Sequence, residues 1–236
     1  ACGLATRPTL EQAWDDALAG DSVSAFGGVI ASNRVVDTAT ALKMNSLFFE
    51  VLMAPGFDED ALVILKSKKN RVLLLMKDFE VPAYSIRSVL NGTLVQARDQ
   101  KTESIRDMNT VTDLAPTKEQ FQDLLFAAKV CKHTKSNTIV LAKGGQLLGS
   151  GTGQTSRVDA LNQAIEKAAR FNFSLEGAAM ASDAFFPFPD CVEIAKNAGI
   201  SCVVQPGGSI RDKESIEFCN SHKMTMVTTG IRHFKH

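Results

Sequence analysis

Short β-branched or aliphatic runs alternate along the chain with stretches whose apolar residues recur every three or four positions. That alternation predicts an α/β protein. Phe26 to Ala31, Leu47 to Ala54 and Arg71 to Met76 read as strands, and Asp58 to Ser67 as a helix between the second and third. Ahead of them, Thr9 with Gln12 makes a capping box, and Gly20 marks the stop of a helix carrying Trp14 and Leu18. Asn91-Gly92 predicts a tight turn before a strand at Thr93 to Gln96.

From Asp99 to Pro116 polar residues crowd out apolar ones, which places the joint between two subdomains there, residues 1–105 and 106–236. Thr117 with Gln120 caps a new helix carrying Phe121, Leu124, Leu125 and Ala128. A strand pair follows, Thr138 to Lys143 and Gln146 to Gly149, joined by Gly144-Gly145. Ser156 to Arg170 is amphipathic, with Val158, Leu161, Ile165 and Ala168 on one stripe. The last third alternates helix near Cys191 to Ala198, strand near Cys202 to Gln205, helix near Asp212 to Ser221 and strand near Thr225 to Thr229.

Composition changes the picture mainly by exclusion. The 236 residues are enough to bury a core without staples. Lys plus Arg and Asp plus Glu are 26 each, so no global field draws nucleic acid or an anionic membrane, and any anionic ligand must be held locally. The longest uninterrupted aliphatic run, Val72 to Met76, is far short of the ~20 residues that span a bilayer. Five cysteines at irregular spacing, with no C-x-x-C, predict neither a disulfide framework nor a zinc site and fit a reducing cytoplasm. The start at Ala1 shows no basic region followed by an apolar one, so no signal peptide is expected.

Four segments carry candidate chemistry. Gly149 to Arg157 follows a strand and opens a helix, so its backbone N–H groups can cradle an anion; it is also readable as a glycine-rich turn with Ser156 as N-cap. It lacks the Lys of a phosphate loop and the third glycine of a dinucleotide fingerprint. Arg157 in the first helical turn opposes the helix dipole and calls for an anionic partner. Ala181 to Asp190 packs Phe185, Phe186 and Phe188 between two aspartates and two prolines, either a platform for a flat nitrogen heterocycle with Asp190 accepting ring N–H groups, or a hydrophobic plug. The tail Thr229 to His236 crowds Arg232, His233, Phe234, Lys235 and His236 together, an inert basic tail or a ligand contact with histidines near neutrality. Lys132 to Asn137 runs off a helix into a strand, where Asn137 can present an amide. Absence of H-x-E with P-C-x-x-C excludes a zinc deaminase, and no serine-hydrolase elbow, H-E-x-x-H or kinase set appears. No catalytic metal is expected.

Taken in order, Ser24-Ala-Phe-Gly-Gly28, Ala54-Pro-Gly56, Val95 to Asp99, Lys135-Ser-Asn137, Gly151-x-Gly-Gln-x-Ser-Arg157, Met180 to Phe188, Gln205-Pro-Gly-Gly-Ser-Ile-Arg-Asp212 and Arg232 to His236 resemble the AICAR transformylase family. That family is the formyltransferase half of bifunctional purine-biosynthesis enzymes whose other half is an IMP cyclohydrolase. The resemblance covers essentially the whole chain. It implies two cytidine-deaminase-like α/β/α subdomains without zinc, a homodimer with sites at the subunit interface, and room for a monovalent cation.

The implied reaction moves a formyl group from 10-formyltetrahydrofolate, the co-substrate, to the 5-amino group of AICAR, giving FAICAR. By the same resemblance Phe26, Gly27, Asn137, Arg232, Phe234 and His236 face AICAR, Asn137 and His236 being catalytic. Ser156, Arg157, Phe185, Phe188 and Asp190 line the folate side. The family's Lys-His pair for proton handling lies just upstream of the position of Cys2-Gly3, and this chain starts at Ala1. The expectation is therefore a fragment with little activity alone. The alternative from another class is a non-catalytic nucleotide or folate binding module.

Overall fold

The computed structural model describes residues 1–235, and in it the elements follow the predicted alternation. The first portion carries α1 (Leu10–Ala19), β1 (Gly28–Ala31), α2 (Thr38–Asn45), β2 (Phe49–Ala54), α3 (Glu59–Lys66) and β3 (Val72–Leu75), then a hairpin of β4 (Tyr84–Val89) and β5 (Gly92–Ala97). The second carries β6 (Asn109–Thr110), α4 (Lys118–Lys132), β7 (Ile139–Lys143), β8 (Gln146–Gly151), α5 (Arg157–Arg170), β9 (Ala179–Ser182), α6 (Asp190–Asn197), β10 (Cys202–Gln205), α7 (Asp212–Ser221) and β11 (Thr225–Thr228).

Local chemistry accounts for the boundaries. Thr117 and Gln120 form the reciprocal capping box of α4, each backbone N–H donating to the other's side chain at 2.9 and 3.2 Å. At α1 only half of the expected box forms, with Thr9 accepting from the Gln12 N–H at 3.3 Å. Asp37 caps α2, a helix whose threonines disguise it in the sequence. The hairpin turn falls one residue earlier than Asn91-Gly92 predicts. Gly92 already pairs with Val89 in the ladder, and Leu90 takes the left-handed turn position at φ 49°.

The six-stranded sheet runs β6-β11-β10-β9-β7-β8, with β9, β10 and β11 parallel and β7 antiparallel to both β8 and β9. Its period-2 alternation divides the core. Ile139, Leu141, Met180, Val203 and Met226 face one side, packed with Leu161 and Ala164 of α5 and with residues of α6 and α7. Val140, Ala142, Ala181, Val204 and Val227 face the other, against Leu124, Ala127 and Ala128 of α4. Helices on both faces explain why these strands read as continuous apolar runs, and each buried Leu or Ile adds about 2 kcal/mol.

A smaller parallel sheet, β1-β2-β3, packs Phe49, Leu52 and Ala54 against Ala41 and Met44 of α2, Ala61 and Leu65 of α3, and Trp14 of α1. The chain beginning is tied to the larger sheet: Leu147 donates to the Leu4 carbonyl at 2.9 Å and Ala5 bridges to Gln146. Arg7 donates to the Gly144 carbonyl at 2.7 Å, and Lys167 of α5 pairs with buried Asp21. No helix among the described residues is long and apolar enough to cross a membrane.

Candidate functional site

Sheet direction decides where the candidate segments meet. The loops after β9, β10 and β11 leave from one edge of the sheet because those strands are parallel. Since Ile139 at the start of β7 pairs with both Ser182 and Gly151, the entry to β7 and the exit from β8 lie at that same edge. Asn137, the Gly151–Arg157 loop, the aromatic loop, the Gln205–Asp212 loop and the tail from Thr229 therefore converge there. Crevices outside the carboxyl ends of parallel strands are where α/β sheets hold ligands.

Contacts across the edge bind these loops together. The Arg232 guanidinium lies 4.9 Å from the Phe185 ring centroid, and Arg211 lies 4.8 Å from that of Phe188. Phe186 between them is fully buried, so the loop has one core anchor and two rings turned outward, Phe188 half exposed. The plug reading thus holds for Phe186 and does not extend to Phe188. The Gln205–Asp212 loop, which carries Arg211, is held at its exit, where Gly208 and Ser209 N–H groups donate to Asp212 at 2.7 and 3.1 Å.

Asn137 donates both amide hydrogens, to the carbonyls of Gln154 and Thr155, each at 3.1 Å. Its remaining capacity is the Oδ1 acceptor. Ser156 caps α5, accepting from the Asp159 N–H at 3.0 Å and donating to the Asp159 carboxylate at 2.8 Å. Arg157 finds its anionic partner inside the chain, 3.5 Å from the carboxylate of fully buried Asp183, while its Nε and the second Asp183 oxygen have no protein partner. Two glycines of the loop answer a packing demand: a Cβ on Gly151 would sit 1.8 Å from the Ala160 carbonyl oxygen, and one on Gly149 2.2 Å from that of Ala164. They let β8 lie directly against α5. Asp190 opens α6, one oxygen accepting from the Cys191 N–H at 2.8 Å.

The tail is anchored by a cluster that no local pattern reveals. His233, 5% exposed, has Nδ1 against Asp99 and Nε2 2.5 Å from the carboxylate of buried Glu103. Its N–H donates to the Asp183 carbonyl at 3.2 Å. Burial pushes the imidazole down, but hydrogen bonds and charge from Glu103 and Asp99 outweigh it, so its affinity for a proton is raised. Buried Lys132 donates to the Lys101 carbonyl at 2.7 Å and lies 3.8 Å from Asp99. Lys235 donates its N–H to the Ser136 hydroxyl at 2.9 Å, fastening the tail beside Asn137. A cleft of about 270 Å³ lies between Phe234 and Lys235 and the hairpin residues Ser85, Arg87, Leu94 and Gln96.

Phe26 and Gly27 are placed elsewhere, at the start of β1 in the smaller sheet. The Phe26 ring packs on Phe48 with centroids 5.0 Å apart, and the Gly27 N–H donates to the Phe48 carbonyl at 2.9 Å. His236 lies outside the described residues. Among the described residues no group of three or more His, Cys, Asp or Glu is arranged to hold a metal ion.

A family model described as the AICARFT/IMPCHase bienzyme matches residues 1–167. The chain belongs to the AICARFT/IMPCHase bienzyme family. Among its relatives, the bifunctional purine biosynthesis protein PurH of Bacteroides thetaiotaomicron is 62% identical over all of this chain and 46% of that protein. PurH of Lacticaseibacillus paracasei is 49% identical over all of this chain and 47% of its own length. The chain spans about half the length of the curated relatives it matches. Among solved structures, the dCMP deaminase from cyanophage S-TIM5 in apo form is similar with a TM-score of 0.36 and 16% identity, over 47% of this chain and 98% of that one.

Proposed function

We propose that this member of the AICARFT/IMPCHase bienzyme family forms the formyl-transfer portion of a purine-biosynthetic enzyme, moving the formyl group of 10-formyltetrahydrofolate to the 5-amino group of AICAR. The observation that carries the reading is the convergence of Asn137, the aromatic loop and Arg232 on one sheet edge. Arg232, Phe234 and Asn137 bind the nucleotide. His236 joins them by the resemblance.

The amino group of AICAR is a weak nucleophile, its lone pair delocalised into the ring and carboxamide, so alignment and proton removal set the barrier. Asn137, its two amide hydrogens already committed, offers Oδ1 to an N–H of that amine and fixes its direction. The outward faces of Phe185 and Phe188 stack on the flat rings of the folate, with Asp190 accepting ring N–H groups. Arg157 and Ser156 complete the folate side through the turn they build. The base that takes the amine proton and the donor that meets the formyl oxygen are, as the resemblance implies, a Lys-His pair.

A second copy of this chain completes the site. Exposed apolar side chains on β3 and on both faces of the hairpin, among them Leu74, Leu75, Ile86, Leu94 and Val95, supply an interface, and Phe26 with Gly27 reach the nucleotide from the other subunit. The division near residue 105 falls between the three-stranded sheet with the β4–β5 hairpin and the six-stranded sheet, which supports a reading of two subdomains.

The test is AICAR-dependent conversion of 10-formyltetrahydrofolate by the full-length protein that contains this chain, against its Asn137→Ala variant. A loss of about 100-fold in kcat/KM is expected. Absence of turnover in the unmodified protein overturns the reading, and tight AICAR binding without turnover favours the non-catalytic binding module.

A further inference from the structure

Both ring nitrogens of His233 face carboxylate oxygens, Nδ1 that of Asp99 and Nε2 that of Glu103. Ionised carboxylates only accept, and a neutral imidazole has one N–H, so one contact would set acceptor against acceptor. The imidazolium, with two donors, satisfies both. The charges around it agree. The 99–103 segment brings Asp99 and Glu103, and α4 brings Lys132 to 3.8 Å from Asp99. Two carboxylates thus meet one fixed cation, and a second positive charge on His233 brings the cluster to neutrality. Among the described residues, exposed His133 at the end of α4, exposed Lys235 in the tail and the buried Cys131 thiol near Glu103 are further ionisable neighbours. Glu103 is 4% exposed, its Oε1 bound to His233 and its Oε2 without a partner. Loss of the imidazolium would leave a buried carboxylate unpaired.

His233 lies between Arg232, which stacks on Phe185, and Phe234, which lines the cleft under the hairpin. We propose that His233, as an imidazolium clamped between Asp99 and Glu103, is a positioning residue that latches the C-terminal tail onto the end of the hairpin and so presents Arg232 and Phe234 to an anionic nucleotide. The second half rests on the functional reading above; the latch itself does not. Because the folded protein holds the proton more tightly than the unfolded chain, the latch is fully present below the ordinary histidine pKa and is lost as pH rises through the raised value.

Two measurements on the full-length protein between about pH 6 and 9 test it: hydrogen exchange of the peptide carrying Arg232 to Lys235, and AICAR affinity by calorimetry. In the unmodified protein, tail exchange, corrected for its intrinsic pH dependence, should rise about tenfold through one midpoint, with AICAR affinity falling about tenfold in step. Glu103→Gln should move that midpoint to lower pH, and His233→Gln should abolish it, leaving the tail fast at every pH. A flat exchange profile, or an unchanged midpoint in either variant, overturns the latch. If AICAR fails to bind at any pH while the exchange midpoint persists, the latch stands and the functional reading falls.

Discussion

Arg232 lies over the ring of Phe185 with its guanidinium carbon 4.9 Å from the centroid, joining the tail after β11 to the loop after β9. Each group fixes the other. Arg232→Ala should weaken AICAR binding at least tenfold, since it removes both the charge and the planar stack. Arg232→Lys keeps only the charge and should recover part of the loss, and Phe185→Leu should weaken binding about threefold by releasing the guanidinium. Calorimetric titration of AICAR into the full-length variants reads all three, and equal affinities for Lys and Arg at this position would refute a role for the stack.

Gly151→Ala should be severely destabilising, because its Cβ would sit 1.8 Å from the Ala160 carbonyl oxygen and force α5 away from β8. A loss of about 3 kcal/mol or more in urea unfolding is expected. Gly144→Ala is the control: that glycine has φ 57° in the β7–β8 turn but open space around it, so its cost should stay near 1 kcal/mol.

The Asp21–Lys167 pair ties the segment that follows the Gly20 cap of α1 to α5. Burial pushes the Asp21 carboxyl up, yet hydrogen bonds from Lys167 and Ser24 overcome it and hold the group at about 2, below its ordinary 3.8. A depressed carboxyl stabilises fully above its unfolded value and ceases to as pH falls through the folded one. Asp21→Asn should cost about 1–3 kcal/mol at neutral pH. The gap from the unmodified protein should close as pH drops from about 4 towards 2; a gap independent of pH would refute the ion pair.

Burial pushes the Cys191, Cys202 and Cys219 thiols up to about 12 and Cys131 well above its ordinary value, whereas Cys2 is exposed. A maleimide added to the native chain should label Cys2 alone within minutes and all five after unfolding. Intact mass spectrometry counts the adducts, and rapid labelling of more than one native thiol would contradict the packing around α4, α6 and α7.

Pattern alone was enough for elements whose own residues contain the reason for them. The capping box of α4, the β-branched run of β10 and the stripe of α5 lie where the sequence places them. Strand β9, made of Ala179, Met180, Ala181 and Ser182, has no strand signature in the sequence, because small residues carry little strand propensity. In β4 every side chain but Ser85 is exposed, so no alternation marks it.

The individual site segments were legible as unusual clusters, and family motifs assigned them ligands. The sequence by itself determined the α/β class, the helix caps and which segments are chemically unusual, because those depend on residues near one another in the chain. Only the tertiary structure decided that Asp183 answers Arg157, that Glu103 and Asp99 grip His233, and that five loops share one edge. Those facts follow from strand direction and from which charges lose water together, and no stretch of neighbouring residues encodes either one.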